Sequence, residues 1–374
     1  EPSVTRTSGV PGPGGEAAFT ISTPSLDVTK FRYGWKNPPD KEITATLTTA
    51  ADGSKSMTAS VKLSTVKYGE NIFTAYGIDN TLNNGRATSV SLIVNAPRPD
   101  RRLRLQAYPG VDQATALQNS AAAGGGALAT TDLTWTDDVR ILGGKTATFT
   151  GTATQGAVAT GVALDTTKSY SVAAWVRLTD LTVTSTAIAK EAPAGVSSPF
   201  RLRARPLTAG NSWCLLIPST TTTVGTEVCS NRLNTVNQWT HVAAGYDSAD
   251  KRIKVWVDGV ETSAGFSAPT TNTNPIVIGR GQDAASTGFV ERFRGNIADV
   301  QIFDRLLVPD DFTGATAVRT DDGEVDEPGI LDPVEVGLWR FDAVCRAATS
   351  RTRGCATFRR MTTSSASCGP PSAR

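Results

Sequence analysis

The chain has 374 residues, a formal net charge of +2 and only 19% charged residues. This length suggests two or three domains, and the near-neutral charge excludes a broad electrostatic footprint for nucleic acid or an anionic membrane. No run of about 18 apolar residues occurs, so no transmembrane helix is predicted. The chain opens at Glu1 without a signal-like segment, so we expect a mature product or part of a longer multidomain chain.

Glycine, proline and β-branched residues are abundant, which predicts an all-β fold of the sandwich type. Residues 1–15 are rich in glycine and proline, and we expect a flexible leader there. Residues 16–97 contain short alternating runs about 10–15 residues apart with turn signals such as Asp52-Gly53 between them. This spacing predicts an immunoglobulin-like or fibronectin III-like sandwich, followed by a proline-containing linker at 95–100.

Longer strands are predicted in residues 98–314. Tyr170–Leu178 alternates faces, with Val172, Ala174 and Val176 on one side. Trp239–Tyr246 is a second strand of this kind, and other strands of the region are joined by hairpin turns. About 200 residues with this pattern predict a large two-sheet jelly roll.

Two segments follow the predicted jelly roll. Residues 315–335 are acidic, so we expect a solvated linker. Residues 336–374 are basic, lack periodicity and carry Cys345, Cys355 and Cys368, which predicts a truncated or disordered tail.

Two further cysteines, Cys214 and Cys229, lie in strand-like runs joined by a threonine-rich connection. Neighbouring antiparallel strands can bring such cysteines within disulfide reach, and closing this loop would contribute about 3 kcal/mol. Two buried free thiols are the alternative, and a metal site is disfavoured because no CxxC motif or histidine lies nearby. A disulfide favours an extracellular or cell-surface location.

Five segments in order resemble the LamG-like jelly-roll family of the concanavalin A-like lectin/glucanase superfamily. They are Tyr170–Leu178, Trp239–Tyr246 with its Trp-x-His-Val-Ala motif, Lys251–Val260 with Val-x-Val-Asp-Gly, Ile276–Gly279, and Gly295–Leu307 with Gly-x-Ile-Ala-Asp-Val-x-Ile-Phe. An Ig-like domain followed by this jelly roll is similar to the arrangement in secreted multidomain proteins of actinobacteria. Val336–Phe341 resembles the start of a second copy.

Members of this superfamily bind glycans, matrix proteins or other surfaces, some are glycoside hydrolases, and many carry structural calcium. The resemblance therefore implies a carbohydrate or a cell-surface or matrix protein as partner. It also implies a structural Ca²⁺ held by Asp299 with backbone carbonyls, since calcium takes six to eight oxygen ligands. The alternative is that Asp299 orders the strand edge without metal.

Catalytic motifs are weak. The nearest match to the glucanase pattern Glu-x-Asp-x-(x)-Glu is Glu324–Gly329, where Pro328 interrupts the strand. His241, the single histidine, lies within a strand and is expected to be structural, with a backbone carbonyl as its partner. We therefore predict that the chain is not an enzyme. A glycoside hydrolase with a non-standard carboxylate pair is the alternative, and it requires two facing carboxylates in an open groove with at least one raised pKa.

Trp175 and Trp256 are candidate platforms for a sugar ring, whose apolar face can stack on an indole. Period 2 does not tell which face of a strand is buried, and Trp239 is expected in the core. The prediction is thus a secreted, non-catalytic binding or adhesion module with the Ig-like domain as spacer. A ligand-free structural spacer is the third possibility, and no nucleic acid or membrane insertion is expected.

Overall fold

The structure is a computed structural model. It describes residues 1–9, 11–94, 101–105, 116–117, 128–137, 140, 145–159, 161–162, 164–218, 225–266, 268–313, 315–317 and 325–327. Apart from one five-residue helix, the regular elements in these ranges are strands, which confirms the all-β prediction. None of the helices in the described ranges has the length and hydrophobicity needed to span a bilayer.

Eight strands form the N-terminal domain in the described residues. They are β1 (Ser3–Arg6), β2 (Glu16–Thr23), β3 (Val28–Gly34), β4 (Lys41–Thr44), β5 (Thr46–Thr49), β6 (Lys55–Ser64), β7 (Gly69–Asp79) and β8 (Thr88–Val94).

These strands build two antiparallel sheets, in the orders β1-β2-β6-β5 and β4-β3-β7-β8. This division, with the first, second, fifth and sixth strands in one sheet and the other four in the second, is that of an Ig-type sandwich. Phe19 and Phe73, from opposite sheets, stack with ring centroids 4.1 Å apart at the centre of the core. The structure therefore confirms that this region is a two-sheet sandwich, as the alternating strand pattern predicts.

The expectation of a flexible leader at residues 1–15 is wrong. Ser3–Arg6 pairs with β2, with Ser3 opposite Ser22 and Arg6 opposite Phe19. Gly14 is buried with a φ of 67°, and a Cβ at this position would lie 1.9 Å from the carbonyl oxygen of Leu306. Glycine is needed here because the chain passes directly against the second domain, not because the segment is loose.

The second domain contains the remaining elements. They are β9 (Arg101–Leu105), β10 (Ala116–Leu117), β11 (Leu128–Thr131), β12 (Thr134–Asp137), β13 (Lys145–Thr150), β14 (Gly156–Ala159), β15 (Tyr170–Leu178), β16 (Ser185–Lys190), β17 (Arg201–Leu207), β18 (Gly210–Ile217), β19 (Thr226–Leu233), β20 (Trp239–Asp247), β21 (Arg252–Val257), β22 (Val260–Gly265), β23 (Ile276–Ile278), β24 (Gly281–Gln282), β25 (Phe289–Val290), β26 (Arg294–Phe303), α1 (Pro309–Thr313), β27 (Ala315–Ala317) and β28 (Val325–Glu327).

Two large antiparallel sheets face each other in this domain. Their strand orders are β10-β11-β14-β23-β16-β17-β18-β19 for the first sheet and β12-β13-β26-β15-β20-β21-β22 for the second sheet, with β9 also paired to β26. The sequence prediction for β15 is confirmed, because Val172, Ala174 and Val176 point into the core between the sheets. This is the two-sheet architecture predicted for the jelly roll.

The outer face of the second sheet is half covered by the chain that follows β26. Leu306, Leu307 and Phe312 pack on this face against residues of β15, β20, β21 and β26. They form a separate apolar cluster with Ala173, Ala243, Trp256 and Phe303. The other half of this face, which carries Trp175, Arg177 and Trp239, is only half-buried, and we call it the open half.

A β-bulge in β26 lies between these halves. Ala173 of β15 pairs with Gln301, but Trp175 pairs with Ala298, so one extra residue is accommodated in β26. Asp299 lies in the bulge with a φ of 46°, a conformation that non-glycine residues rarely adopt.

The two domains meet at a polar junction. The Tyr68 hydroxyl donates to Oδ1 of Asp311 at 2.9 Å, and the backbone N–H of Tyr68 donates to the Asp310 carboxylate. Asp311 also accepts two hydrogen bonds, of 2.7 and 2.8 Å, from the buried guanidinium of Arg305. Ser64 Oγ donates to Asp247 at 2.7 Å. The junction is completed by an ion pair of 2.6 Å between Lys41 and Asp250.

Several sequence predictions fall largely outside the described residues. They are the linker at 95–100, the resemblance at Val336–Phe341 and the tail with Cys345, Cys355 and Cys368. Within the predicted linker at 315–335, β27 and β28 pair as a short antiparallel ladder.

Candidate functional site

The open half of the second sheet's outer face carries a row of side chains set by strand register. Thr148 of β13 lies opposite Asn296 of β26, which lies opposite Arg177 of β15, which in turn lies opposite Trp239 of β20. Four adjacent strands therefore contribute one residue each, and at about 4.8 Å per strand the row is about 14 Å long. Because the row stands on central strands, its geometry is fixed by the sheet.

Asn296 anchors this row. It is 2% exposed, and its amide nitrogen donates to the hydroxyls of Thr148 at 2.8 Å and Thr136 at 3.2 Å. Its carbonyl oxygen accepts from Nη2 and Nε of Arg177 at 2.8 and 3.1 Å. The guanidinium is therefore held from one side by a buried amide that is itself held by two threonines.

Two tryptophans and a second arginine complete the site. The guanidinium carbon of Arg140 lies 4.2 Å from the ring centroid of Trp239 and 4.7 Å from that of Trp175. The guanidinium carbon of Arg177 lies 5.9 Å from the ring centroid of Trp239. Such contacts orient a cation over an indole. We call Arg140, Trp175, Arg177, Trp239 and Asn296 together the Arg–Trp face.

The structure separates the two tryptophans that were predicted as ligand platforms. Trp175 is half-buried on the open half, although Arg140 lies over its ring. Trp256 is only 2% exposed and packs on Phe312 with ring centroids 5.7 Å apart, so its proposed role as a ligand platform is wrong. The physical reason is the segment after β26, which folds back over that half of the sheet. Trp239, expected in the core, is instead half-buried on the outer face.

His241 lies beneath the boundary between the two halves. Its ring is fully buried, meets Trp175 and Phe312 edge-on, and neither ring nitrogen has a hydrogen-bond partner within the described part of the chain. Burial lowers the pKa of His241 to about 4; the positive charge of Arg140 acts in the same direction and the Asp299 carboxylate opposes it. The imidazole is therefore neutral at pH 7, and the expected bond to a backbone carbonyl is not formed.

Asp299, the predicted calcium ligand, is 4% exposed. Its Oδ2 accepts a hydrogen bond of 2.9 Å from the amide of Gln301, and it lies close enough to His241 to affect its titration. In the described ranges it belongs to no group of three or more carboxylate, imidazole or thiolate ligands. Such a group counts only side-chain ligands, whereas calcium also takes backbone carbonyl oxygens. Calcium at Asp299 stays a prediction.

The predicted disulfide between Cys214 and Cys229 is confirmed. The two residues lie directly opposite each other on β18 and β19, with Cα atoms 4.0 Å apart. Glu227 lies beside them, but both sulfurs are used by the disulfide and are not available as thiolate ligands.

The outer face of the first sheet is neutralised by ion pairs. Arg203 pairs with both Glu227 and Glu291, Arg205 pairs with Glu227, and Arg201 lies 3.1 Å from carboxylate oxygens of Glu291 and Asp283. Each of these three arginines thus has a carboxylate partner. Arg177 of the Arg–Trp face differs from them, because its side-chain hydrogen bonds go to the Asn296 amide oxygen.

The hydrolase alternative requires a carboxylate with a raised pKa. Among the described carboxyl groups, every one whose pKa departs clearly from its ordinary value has it lowered, by hydrogen bonds in turns or by a neighbouring cation. Asp79 has a pKa of about 2 because Asn83 and Thr81 donate to its carboxylate. The structure therefore offers this alternative no specific support.

Sequence reasoning missed Arg177, Asn296 and Arg140 as site residues. The alternation of β15 places Arg177 on the same face as Trp175, which was a usable signal. Asn296 and Arg140 could not be found in this way, because their proximity depends on register between strands distant in sequence.

The fold and the site together define an all-β chain with two sandwiches, the second of which has a partly exposed sheet face. Residues 150–312 match the Laminin_G_3 family model of the concanavalin A-like lectin/glucanases superfamily. No curated protein sequence matches the chain significantly.

Among solved structures, the chain is similar to a heptameric SAP-like pentraxin from Limulus polyphemus, with 17% identity over 43% of this chain and 81% of that one, at a TM-score of 0.33. The CBM40 of the Ruminococcus gnavus IT-sialidase, bound to α2,3-sialyllactose, shows 13% identity over 38% of this chain and 79% of that one, at a TM-score of 0.32. Domains LG4-5 of the mouse laminin α1 chain show 12% identity over 80% of this chain and 85% of that one, at a TM-score of 0.31. We base no functional argument on these distant likenesses.

Proposed function

We propose that this chain is a non-catalytic, extracellular binding module that recognises carbohydrate through the Arg–Trp face. The observation that carries the proposal is the row Thr148–Asn296–Arg177–Trp239, which stands on rigid strands on the open half of the sheet. Sugars present hydroxyls and apolar ring faces, and this row combines hydroxyl, guanidinium and indole groups. The family match of residues 150–312 supports a role of this kind.

The Cys214–Cys229 disulfide supports an extracellular location, because disulfides persist in oxidising compartments. The resemblance to secreted actinobacterial proteins stays a prediction. The role of the N-terminal domain is to support the binding domain at a fixed position, as the polar junction between them suggests.

The test is a glycan-array screen of the full chain with intact disulfide, in parallel with Trp239→Ala and Leu233→Ala. Leu233 is exposed on the first sheet and serves as the matched apolar truncation away from the site. We expect binding to one saccharide class, lost in Trp239→Ala and kept in Leu233→Ala. Silence from folded parent protein would overturn the proposal in favour of a protein partner or a ligand-free spacer.

A further inference from the structure

The surroundings of Arg177 differ from those of three arginines on the opposite sheet. Among the described residues, the partners of the Arg177 guanidinium are the Asn296 amide oxygen and the indole of Trp239, and no carboxylate forms an ion pair with it. On the opposite sheet, by contrast, Arg201, Arg203 and Arg205 all lie against carboxylates.

The guanidinium of Arg177 is also pre-oriented. Asn296 engages Nε and Nη2, so Nη1 has no acceptor among the described residues. Because Asn296 is fixed by Thr136 and Thr148, little side-chain freedom remains to be lost when a ligand binds. A guanidinium with a free N–H and a fixed plane is suited to a carboxylate or sulfate oxygen.

The tryptophans do not offer a bare platform. Arg140 occupies the ring faces of Trp175 and Trp239 and brings a second cation to the same indole that Arg177 approaches. A neutral sugar that needs a clear indole face would have to displace Arg140. An anionic group would instead be attracted to it.

Resting on the proposed function, we propose that the ligand is an anionic saccharide, with a carboxylate or sulfate group bound by Arg177 beside Arg140 and with neighbouring hydroxyls along the row that ends at Thr148. The favoured occupant is a saccharide rather than an acidic peptide or nucleic acid because the polar row supplies hydroxyl groups at the level of the cation. A row about 14 Å long accommodates more than one sugar ring.

The first experiment is an array that carries neutral, carboxylated and sulfated glycans, probed with the full chain. We expect the hits to be anionic. Hits confined to neutral glycans would leave the proposed function standing and overturn this inference. No hits from folded protein would overturn both.

The second experiment measures affinity by calorimetry with matched probes: oligogalacturonate, its methyl ester, a heparin-derived oligosaccharide and a single-stranded DNA oligomer of similar charge. The array identifies whether the carboxylate or the sulfate probe is used for the variants. Methyl esterification keeps the sugar and removes the charge, so equal affinity for acid and ester would overturn the inference. Equal affinity for the DNA would indicate generic charge attraction and would also overturn it.

The variant Arg177→Gln is expected to lower the affinity for the charged probe by about tenfold to a hundredfold, the usual range for one charge-assisted hydrogen bond. Arg177→Lys keeps the charge but loses the fixed plane, so we expect an intermediate loss. Arg205→Gln makes the same charge change on the opposite sheet and is expected to bind like the parent. An equal loss in Arg177→Gln and Arg205→Gln would contradict a specific role for Arg177. Circular dichroism of each variant verifies that it is folded.

Discussion

His241 shows how a single side chain makes the stability of this domain depend on pH. The unfolded imidazole takes up a proton near pH 6.5, whereas the buried ring does so only near pH 4. Between these values the unfolded state binds more protons, so the free energy of unfolding decreases as the pH falls from about 6.5 to about 4. The full effect is about 3 kcal/mol. Because the sequence contains one histidine, the effect can be assigned to this residue.

The variant His241→Phe is expected to lose most of this acid sensitivity between pH 6.5 and 4.5. Its stability at pH 7 should be equal to or above that of the parent, because two unpartnered ring nitrogens leave the interior. Urea unfolding followed by tryptophan fluorescence at both pH values measures the difference. An unchanged pH dependence would show that His241 is not the titrating group.

Residue faces were predictable where they depend on local alternation. The sequence places Val172 on one face of β15 and Trp175 with Arg177 on the other, and the structure agrees. Whether an outward residue is open or covered was not predictable, because this depends on the later segment that packs Phe312 on Trp256. Alternation carries no information about such a long-range contact.

At the level of elements, the disulfide fastens the edge strand β19 to β18. The pair closes a loop of sequence separation 15, for which constraint of the unfolded chain contributes about 3 kcal/mol. We therefore expect the free energy of unfolding, measured with urea, to be about 3 kcal/mol lower in the double variant Cys214→Ala/Cys229→Ala. Hydrogen exchange should accelerate in Thr226–Leu233 and stay unchanged in the central strand β15. A double variant as stable as the parent would contradict this prediction.

This disulfide was predictable because two strand-like runs and a turn-rich connection fix an antiparallel pair locally. The bulge at Asp299 was not, since it arises from the pairing of β26 with β15, more than 100 residues earlier in the chain.

At the level of the whole molecule, Asp311 connects the domains. It accepts hydrogen bonds from Arg305, Tyr68 and the backbone of Val308. The variant Asp311→Ala removes the carboxylate that accepts two hydrogen bonds from the buried Arg305, so we expect the free energy of unfolding to fall by about 3–5 kcal/mol. Calorimetry should show a separate, earlier transition of the jelly roll. Asp137→Ala removes a carboxylate that is 82% exposed and outside the junction, so it is the control and should unfold like the parent.

The junction has a consequence for how such a chain can be inherited. In most of the described polar contacts between the domains, the N-terminal sandwich supplies the donors, from Lys41, Ser64 and Tyr68, and the jelly roll supplies the acceptors, from four aspartates. The exception is the Arg305 guanidinium, which donates to the Tyr68 hydroxyl at 3.4 Å. A foreign Ig-like domain recombined onto this jelly roll would bring no matching donors, so the aspartates would lose these hydrogen bonds. The two sandwiches are therefore expected to be inherited together when genes recombine. Substitutions on the two sides of the junction are expected to co-vary.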